Sequence, residues 1–228
     1  MRRRLAWCLL PLLALQLAAC GSRSGDAQVA RSPDDLLGVW VPDAAPRELT
    51  ANGAPPPLTE EAAGIHAEHK QRYAAGDAGY DPTTWCAGPG LPRILTMPYA
   101  FEIRRTGNHL AFIHDWYRWF RAVDLDGPEV TDYPAPMTLG YSVGRFEGDT
   151  LVIRTVGISD STVLDASGLP HSDELVITER LRVLPDGRLE NRMTFEDPQT
   201  FTAPWETVLT FHRDPSAKVG DDGCPDRL

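Results

Sequence analysis

The sequence predicts a mainly β domain: an antiparallel meander closed into a barrel or bent into a strongly curved sheet, with one short N-terminal helix. Three observations carry this. From residue 97 to residue 212, apolar and polar residues alternate in short runs. Glycine-containing turns separate those runs, among them Thr106-Gly107-Asn108, Glu147-Gly148-Asp149 and Pro185-Asp186-Gly187. Only residues 60–75 have the start and stop signals of a helix. Alternation with a period of two marks half-buried strands, and tight Gly turns between such runs mark hairpins.

Taken in order, residues 36–41 make a short apolar, strand-like run around Trp40. Residues 42–57 are rich in Pro, Ala and Gly, end in Pro55-Pro56-Pro57, and read as extended loop. Thr59 caps the helix, Glu60 and Glu61 favour its first turn, and Gly76 and Gly79 end it. Residues 82–92 return to loop. Strands are predicted at 101–105, 109–113, 117–125, 139–146, 151–156, 175–184, 189–195 and 205–212. Eight or nine strands in a meander must protect their edges, and closing on themselves is one way to do so. The expected shape is therefore lipocalin-like. A two-sheet β-sandwich is the alternative.

The N-terminus carries an address. Arg2, Arg3 and Arg4 precede an uncharged apolar run over residues 5–19, and Leu17-Ala18-Ala19 leads into Cys20 and Gly21. A positive start, a short apolar middle and a small-residue cleavage site form a secretory signal. The run is shorter than the roughly 20 residues a membrane-spanning helix needs. A cysteine after Leu-Ala-Ala resembles a bacterial lipoprotein signal, which implies a lipidated Cys20 at the mature N-terminus. Gly21 is not the aspartate that holds many such proteins at the inner membrane. In a Gram-negative cell the expected location is the periplasmic face of the outer membrane. The chain then divides into a signal peptide (1–19), a lipid-anchored flexible spacer (20–35), one β-rich domain (36–215) and a C-terminal tail (216–228).

Charge narrows the partners. The chain has a net charge of −10, and loss of the signal removes three arginines and no acid. Nucleic acid demands a basic face, so it is not an expected partner. The expected partners are the membrane, through lipidated Cys20, and a small-molecule ligand. Cys8 leaves with the signal, so Cys86 and Cys224 remain, and in an oxidising compartment they are a natural disulfide. Two unpaired thiols are the rival reading. No cysteine pair has zinc-like spacing, and no phosphate loop, dinucleotide fingerprint or calcium loop occurs; no cofactor or metal is expected.

The stretches GYSVGRFEGDTLVIRT (residues 140–155) and LPHSDELVITER (residues 169–180) resemble a large family of exported bacterial proteins and lipoproteins. Residues 86–101 and 197–205 fit the same pattern more loosely. Usual members carry Trp where this chain has Phe146, and Asn-Asp where it has Ser159-Asp160. The resemblance implies one exported domain of a recurring kind and brings no activity with it.

Three sets of residues attract chemical interest. The loop 157–173 holds Asp160, Thr162, Asp165, His171, Ser172 and Asp173. An imidazole beside a carboxylate is a workable acid–base pair, which nominates His171, Asp173 and Asp160 as catalytic. The competing reading is structural, because Asp and Ser also cap turns. Strand parity supplies the second set. Leu175, Ile177, Glu179, Leu181 and Val183 share one face, as do Leu139, Tyr141, Val143 and Arg145. Glu179, paired with Arg145 or with an arginine of another strand, is then a buried ion pair or a polar ligand anchor. Aromatics crowded at Trp116, Tyr117, Trp119 and Phe120 form the third set, with core packing as the default and a binding wall as the alternative. Glu179, Arg145, Tyr141 and Trp119 are the ligand-binding candidates. His66 and His69 share a helix face, but Glu68 and Lys70 beside them point to a solvated surface.

The leading expectation is an envelope lipoprotein whose β-rich domain binds a small, partly apolar molecule. The alternatives are a cofactor-independent isomerase, lyase or hydrolase using the His/Asp pair, and a structural envelope protein without a pocket.

Overall fold

The computed structural model describes residues 32–131 and 135–220. Nine strands form one closed barrel in sequence order: β1 (Gly38–Pro42), β2 (Phe101–Thr106), β3 (His109–His114), β4 (Phe120–Leu125), β5 (Tyr141–Glu147), β6 (Thr150–Val156), β7 (Val176–Val183), β8 (Leu189–Glu196) and β9 (Trp205–His212). The single α-helix among the described residues, α1, spans Glu60–Ala74. Its N-cap is Thr59, whose hydroxyl accepts from the Ala62 N–H. The architecture is a lipocalin-like barrel with one helix, not a sandwich.

One pairing departs from the expected antiparallel meander. Strands β4 and β5 run parallel, with Val123 opposite Ser142 and Leu125 opposite Gly144. Every other adjacent pair, including β1 with β9, is antiparallel. The cause is parity. Each antiparallel step reverses direction, so a closed ring needs an even number of them. Nine strands therefore close only with an odd number of parallel pairs. A parallel pair cannot be joined by a tight turn and needs a long connection. Residues 126–140 supply it.

The described parts of that connection, residues 126–131 and 135–140, lie over the outer face of β5 like a strap. Glu129 reaches Arg154 of β6 at 3.3 Å. The Tyr141 hydroxyl donates to the Ala135 carbonyl at 3.0 Å. Met137 bridges to Ile158 beyond the end of β6, through N–H donation from Met137 to Gly157 and from Ser159 to Met137. Gly140 ends the strap at φ +65°, and a Cβ there would sit 2.6 Å from the Val156 carbonyl oxygen. Only glycine fits that backbone and that approach.

The seam between β1 and β9 has just two residue pairs, Val41 with His212 and Pro42 with Phe211. Side chains reinforce it. His212 Nδ1 lies 2.8 Å from Asp43, and the Arg213 guanidinium covers the Trp40 ring at 4.1 Å while donating to the Leu37 carbonyl. Residues 33–35, expected to belong to the flexible spacer, form a 3-10 turn with Leu36 (Pro33–Leu36). Ser32 and Asp35 cap each other reciprocally, and Pro33 pre-sets the first φ. Leu36 is buried beneath this turn.

Strand directions put the long connections at one end of the barrel and the tight turns at the other. The loop 157–173 plugs the first end with Ile158, Leu164 and Leu169, all part of the core that also holds Trp40, Phe112 and Phe195. The predicted strand at 117–125 starts later than expected. Tyr117 and Arg118 both sit at φ 51°, so they form the turn and β4 begins at Phe120.

Candidate functional site

Inside the barrel, five strands meet in one polar layer. Glu179 of β7 is fully buried, as its place in an apolar row predicted, and accepts from Arg121 of β4. Arg121 also donates to Ser142 of β5 at 2.9 Å and to Thr155 of β6 at 2.7 Å. Asn191 of β8 donates to the other Glu179 oxygen at 2.8 Å. Phe112 of β3 lies under the guanidinium at 5.5 Å. Both Glu179 oxygens and the Arg121 Nε and Nη2 groups are thus met by protein, while Asn191 Oδ1 in the same layer has no partner. A buried pair satisfied this way contributes geometric definition more than net stability.

Arg145 is not part of this layer. Its row faces the other way: Ser142 and Gly144 point inward, while Arg145 is exposed and pairs with Glu147 at 3.0 Å. The physical reason is the ion pair itself. Arg121 needs a small hydrogen-bonding neighbour on β5, and Ser142 provides it. The apolar residues of β5 that pointed to an inward row, Tyr141 and Val143, are instead the outward ones.

The loop 157–173 brings its suggestive residues together in a structural arrangement. His171 is buried, donates from Nδ1 to the Ser172 carbonyl at 2.8 Å, and contacts the Thr162 hydroxyl through Nε2 at 2.9 Å. Burial lowers its pKa, against the pull of Asp197, Asp160 and Asp173. Asp160 and Asp173 are exposed, and no hydrogen bond joins either to His171 among the described residues. Asp165 accepts from the Leu49 N–H at 2.7 Å, from the Ser167 N–H and hydroxyl, and from the Leu169 N–H. Asp197 holds Ser172 by both its N–H and its hydroxyl.

Helix α1 clamps this loop. His66 meets the Ser167 hydroxyl at 2.7 Å, and His69 donates to the Gly168 carbonyl at 2.7 Å while stacking on Tyr80. The shared face of these histidines was legible, but it is a docking face and not the solvated surface expected.

A cleft of about 390 Å³ opens on the outside of the barrel, over β4 and β5 and against the strap. Its walls are Phe120 and Ala122 from β4, Tyr141 and Val143 from β5, and Met137 and Leu139 from the strap. Phe120 and Met137 are 57% and 49% exposed, which is unusual for large apolar side chains and leaves contact area for a guest. Asp124 and His109 stand at its polar margin, 3.7 Å apart. Arg121 and Ser142 border it as well, but their side chains turn inward to the polar layer. Concave, mostly apolar and carrying a few polar groups, the cleft has the character of a small-molecule site.

No protein-family model and no curated protein matches this chain. Of the four ligand-binding candidates, then, the fold assigns Tyr141 to the cleft wall and Glu179 to the interior. It leaves Arg145 on the surface and packs Trp119 against the backbone at Gly88. Phe120, Ala122, Asp124 and Met137 were missed as a group. Their signal was the apolar outward row of β5, which was assigned to the wrong face. Cys86 is disulfide-bonded; Cys224, the partner expected from sequence, and Cys20 lie outside the described residues.

Two measurements probe the interior. Glu179→Ala leaves Arg121 buried and uncompensated and is expected to cost about 3–5 kcal/mol in urea unfolding. Replacing both, Arg121→Met with Glu179→Leu, is expected to recover most of that loss; no recovery would mean that the pair is worth more than its packing. His114 supplies a pH test. Complete burial, with Arg121 nearby, pushes its pKa down to about 3 from 6.5. The unfolded chain takes up a proton there that the folded protein refuses, so this contribution is complete above pH 6.5 and is lost as pH falls toward 3. The loss runs at about 1.4 kcal/mol per pH unit within that window. His114→Asn is therefore expected to flatten the fall in stability between pH 7 and pH 5 by about 2 kcal/mol. Equal slopes for the two proteins would refute the buried neutral ring.

Proposed function

We propose that this protein is a lipid-anchored envelope protein that binds one small, partly apolar molecule in the cleft over β4 and β5. The cleft carries the reading. It has about 390 Å³ of space, within the usual range for small-ligand sites. Its walls are apolar side chains on rigid strands, and its polar groups lie at one margin. The barrel interior supports binding less well, because Arg121 and Glu179 are engaged with one another and with Ser142, Thr155 and Asn191. The catalytic alternative draws little support from His171, which is tied to Thr162 and the Ser172 carbonyl.

The address rests on the sequence. The Leu17-Ala18-Ala19-Cys20 segment fits acylation of Cys20, and the likeness of residues 140–155 and 169–180 to exported bacterial proteins points the same way. Acyl chains on Cys20 would hold the domain at a membrane by the spacer, and two or more chains give stable anchoring.

Native mass spectrometry of the protein purified from its own source is expected to show a bound molecule of a few hundred daltons. Ala122→Trp fills the cleft from its floor and is expected to remove that adduct while changing stability by under about 0.5 kcal/mol, as surface substitutions do. A bare mass for the native protein, or an adduct that survives Ala122→Trp, would overturn the assignment. For the anchor, Cys20→Ser is expected to abolish incorporation of labelled fatty acid. Undiminished labelling would remove Cys20 from that role.

A further inference from the structure

The margin of the cleft says what kind of head group its guest carries. Among the described residues that border it, Asp124 is the one carboxylate. It points outward from β4, is 42% exposed, and makes no hydrogen bond to another described residue. Its nearest basic partner is His109, whose Nε2 is 3.7 Å away. That is beyond hydrogen-bond reach, and the ring is itself 56% exposed. The one permanent cation among the described border residues, Arg121, is committed to Glu179 inside the barrel. The arginines nearby on the outer surface have acidic partners of their own: Arg154 has Glu129, and Arg145 has Glu147. The cleft therefore offers, at one edge of an apolar wall, a negative charge whose one ion-pair contact among the described residues is an exposed histidine that is charged only when protonated.

The turn after β4 leaves space for that charge. Gly127 opens the strap directly beside Asp124, and a Cβ there would lie 2.5 Å from Asp124 Oδ2. The carboxylate packs against a residue with no side chain, which leaves it room at the cleft edge. Asp126, just before it, sits at φ 56° and donates its N–H to the Gly144 carbonyl, so the turn is fixed to β5. The net charge of −10 on the whole chain adds a long-range preference for cations.

We propose that the cleft selects small amphipathic cations. An ammonium group pairs with Asp124, and the apolar body lies along Phe120, Ala122, Val143 and Met137. Charge complementarity at a half-exposed site sets preference among guests of similar shape more than it sets raw affinity. This inference rests on the small-molecule reading above and sharpens it to a chemical class.

Three probes of matched shape separate the possibilities: 2-phenylethylamine, 2-phenylethanol and 3-phenylpropanoate. Each is titrated calorimetrically into the full-length, detergent-solubilised protein, with detergent alone as the blank. The amine is expected to bind about tenfold more tightly than the alcohol, a difference of about 1.4 kcal/mol. The carboxylate is expected to bind most weakly. Asp124→Asn keeps the shape of the site and is expected to bring the amine within about twofold of the alcohol, leaving alcohol binding unchanged. Ala122→Trp is expected to abolish binding of all three. Equal binding of amine and alcohol, or an amine preference that survives Asp124→Asn, overturns the cation assignment and leaves the cleft as a binding site. Binding that is indifferent to Ala122→Trp overturns both, and so does the absence of binding by every probe.

Discussion

A ring of strands that closes on itself must return to the direction in which it began, and nine strands cannot do so by alternation alone. The parallel pairing of β4 with β5 is how this chain meets the constraint. Everything distinctive on the outer surface follows. The parallel pair forbids a tight turn. The long connection it demands has to run outside the barrel, because the inside is filled. Lying there, it covers part of the outer face of β5 and makes apolar residues tolerable at Tyr141 and Val143, where solvent would otherwise favour polar ones. The gap left between strap and sheet is the cleft.

The interior answers a different requirement. Register in a half-buried sheet is enforced by parity, since a slip of one residue turns every side chain to the opposite face. The ion pair makes such a slip especially costly here. Arg121 and Glu179 stand on β4 and β7, and Ser142, Thr155 and Asn191 draw β5, β6 and β8 into the same set of hydrogen bonds. A slip in any of these strands would strand a charge in the core or cut a donor from its acceptor. The parallel pair is the place where this matters most. It is held by only three residue pairs, and Ser142, which binds Arg121, stands on it.

Much of this was legible in the sequence, and the error is informative. Hairpins declare themselves through local turns, so β2–β3, β5–β6 and β7–β8 fell close to their observed bounds. Glu179 was rightly placed inward because the residues two positions either side of it are apolar. The same reasoning failed on β5, where Tyr141 and Val143 are the apolar members and yet face outward. Periodicity reports which face is covered, and it cannot say whether a core or a strap does the covering. The strap has no sequence period, and its described residues have little secondary structure. Its role was visible only in an integer, the strand count, which the sequence left at eight or nine. The face of α1 had a similar fate: His66 and His69 were correctly set side by side, but what they touch comes from a loop about a hundred residues later in the chain.

The loop 157–173 shows why residue types alone overstate chemistry. It collects histidine, serine and aspartate in quantity, and its buried members find their partners within the fold, while Asp160 and Asp173 stay exposed. Asp165 gathers the N–H groups of Leu49, Ser167 and Leu169, Asp197 holds Ser172, and His171 is occupied at both nitrogens. These groups are satisfied because they plug the mouth of the barrel, where an unpaired polar atom would be expensive. A group kept for a guest has the opposite signature: it retains bonding capacity and faces space. Asp124 has both properties, with no hydrogen bond to the described residues and a cleft beside it. Residual hydrogen-bonding capacity beside a cleft, not the residue type, is what separates the carboxylate at the strap from Asp165 and Asp197.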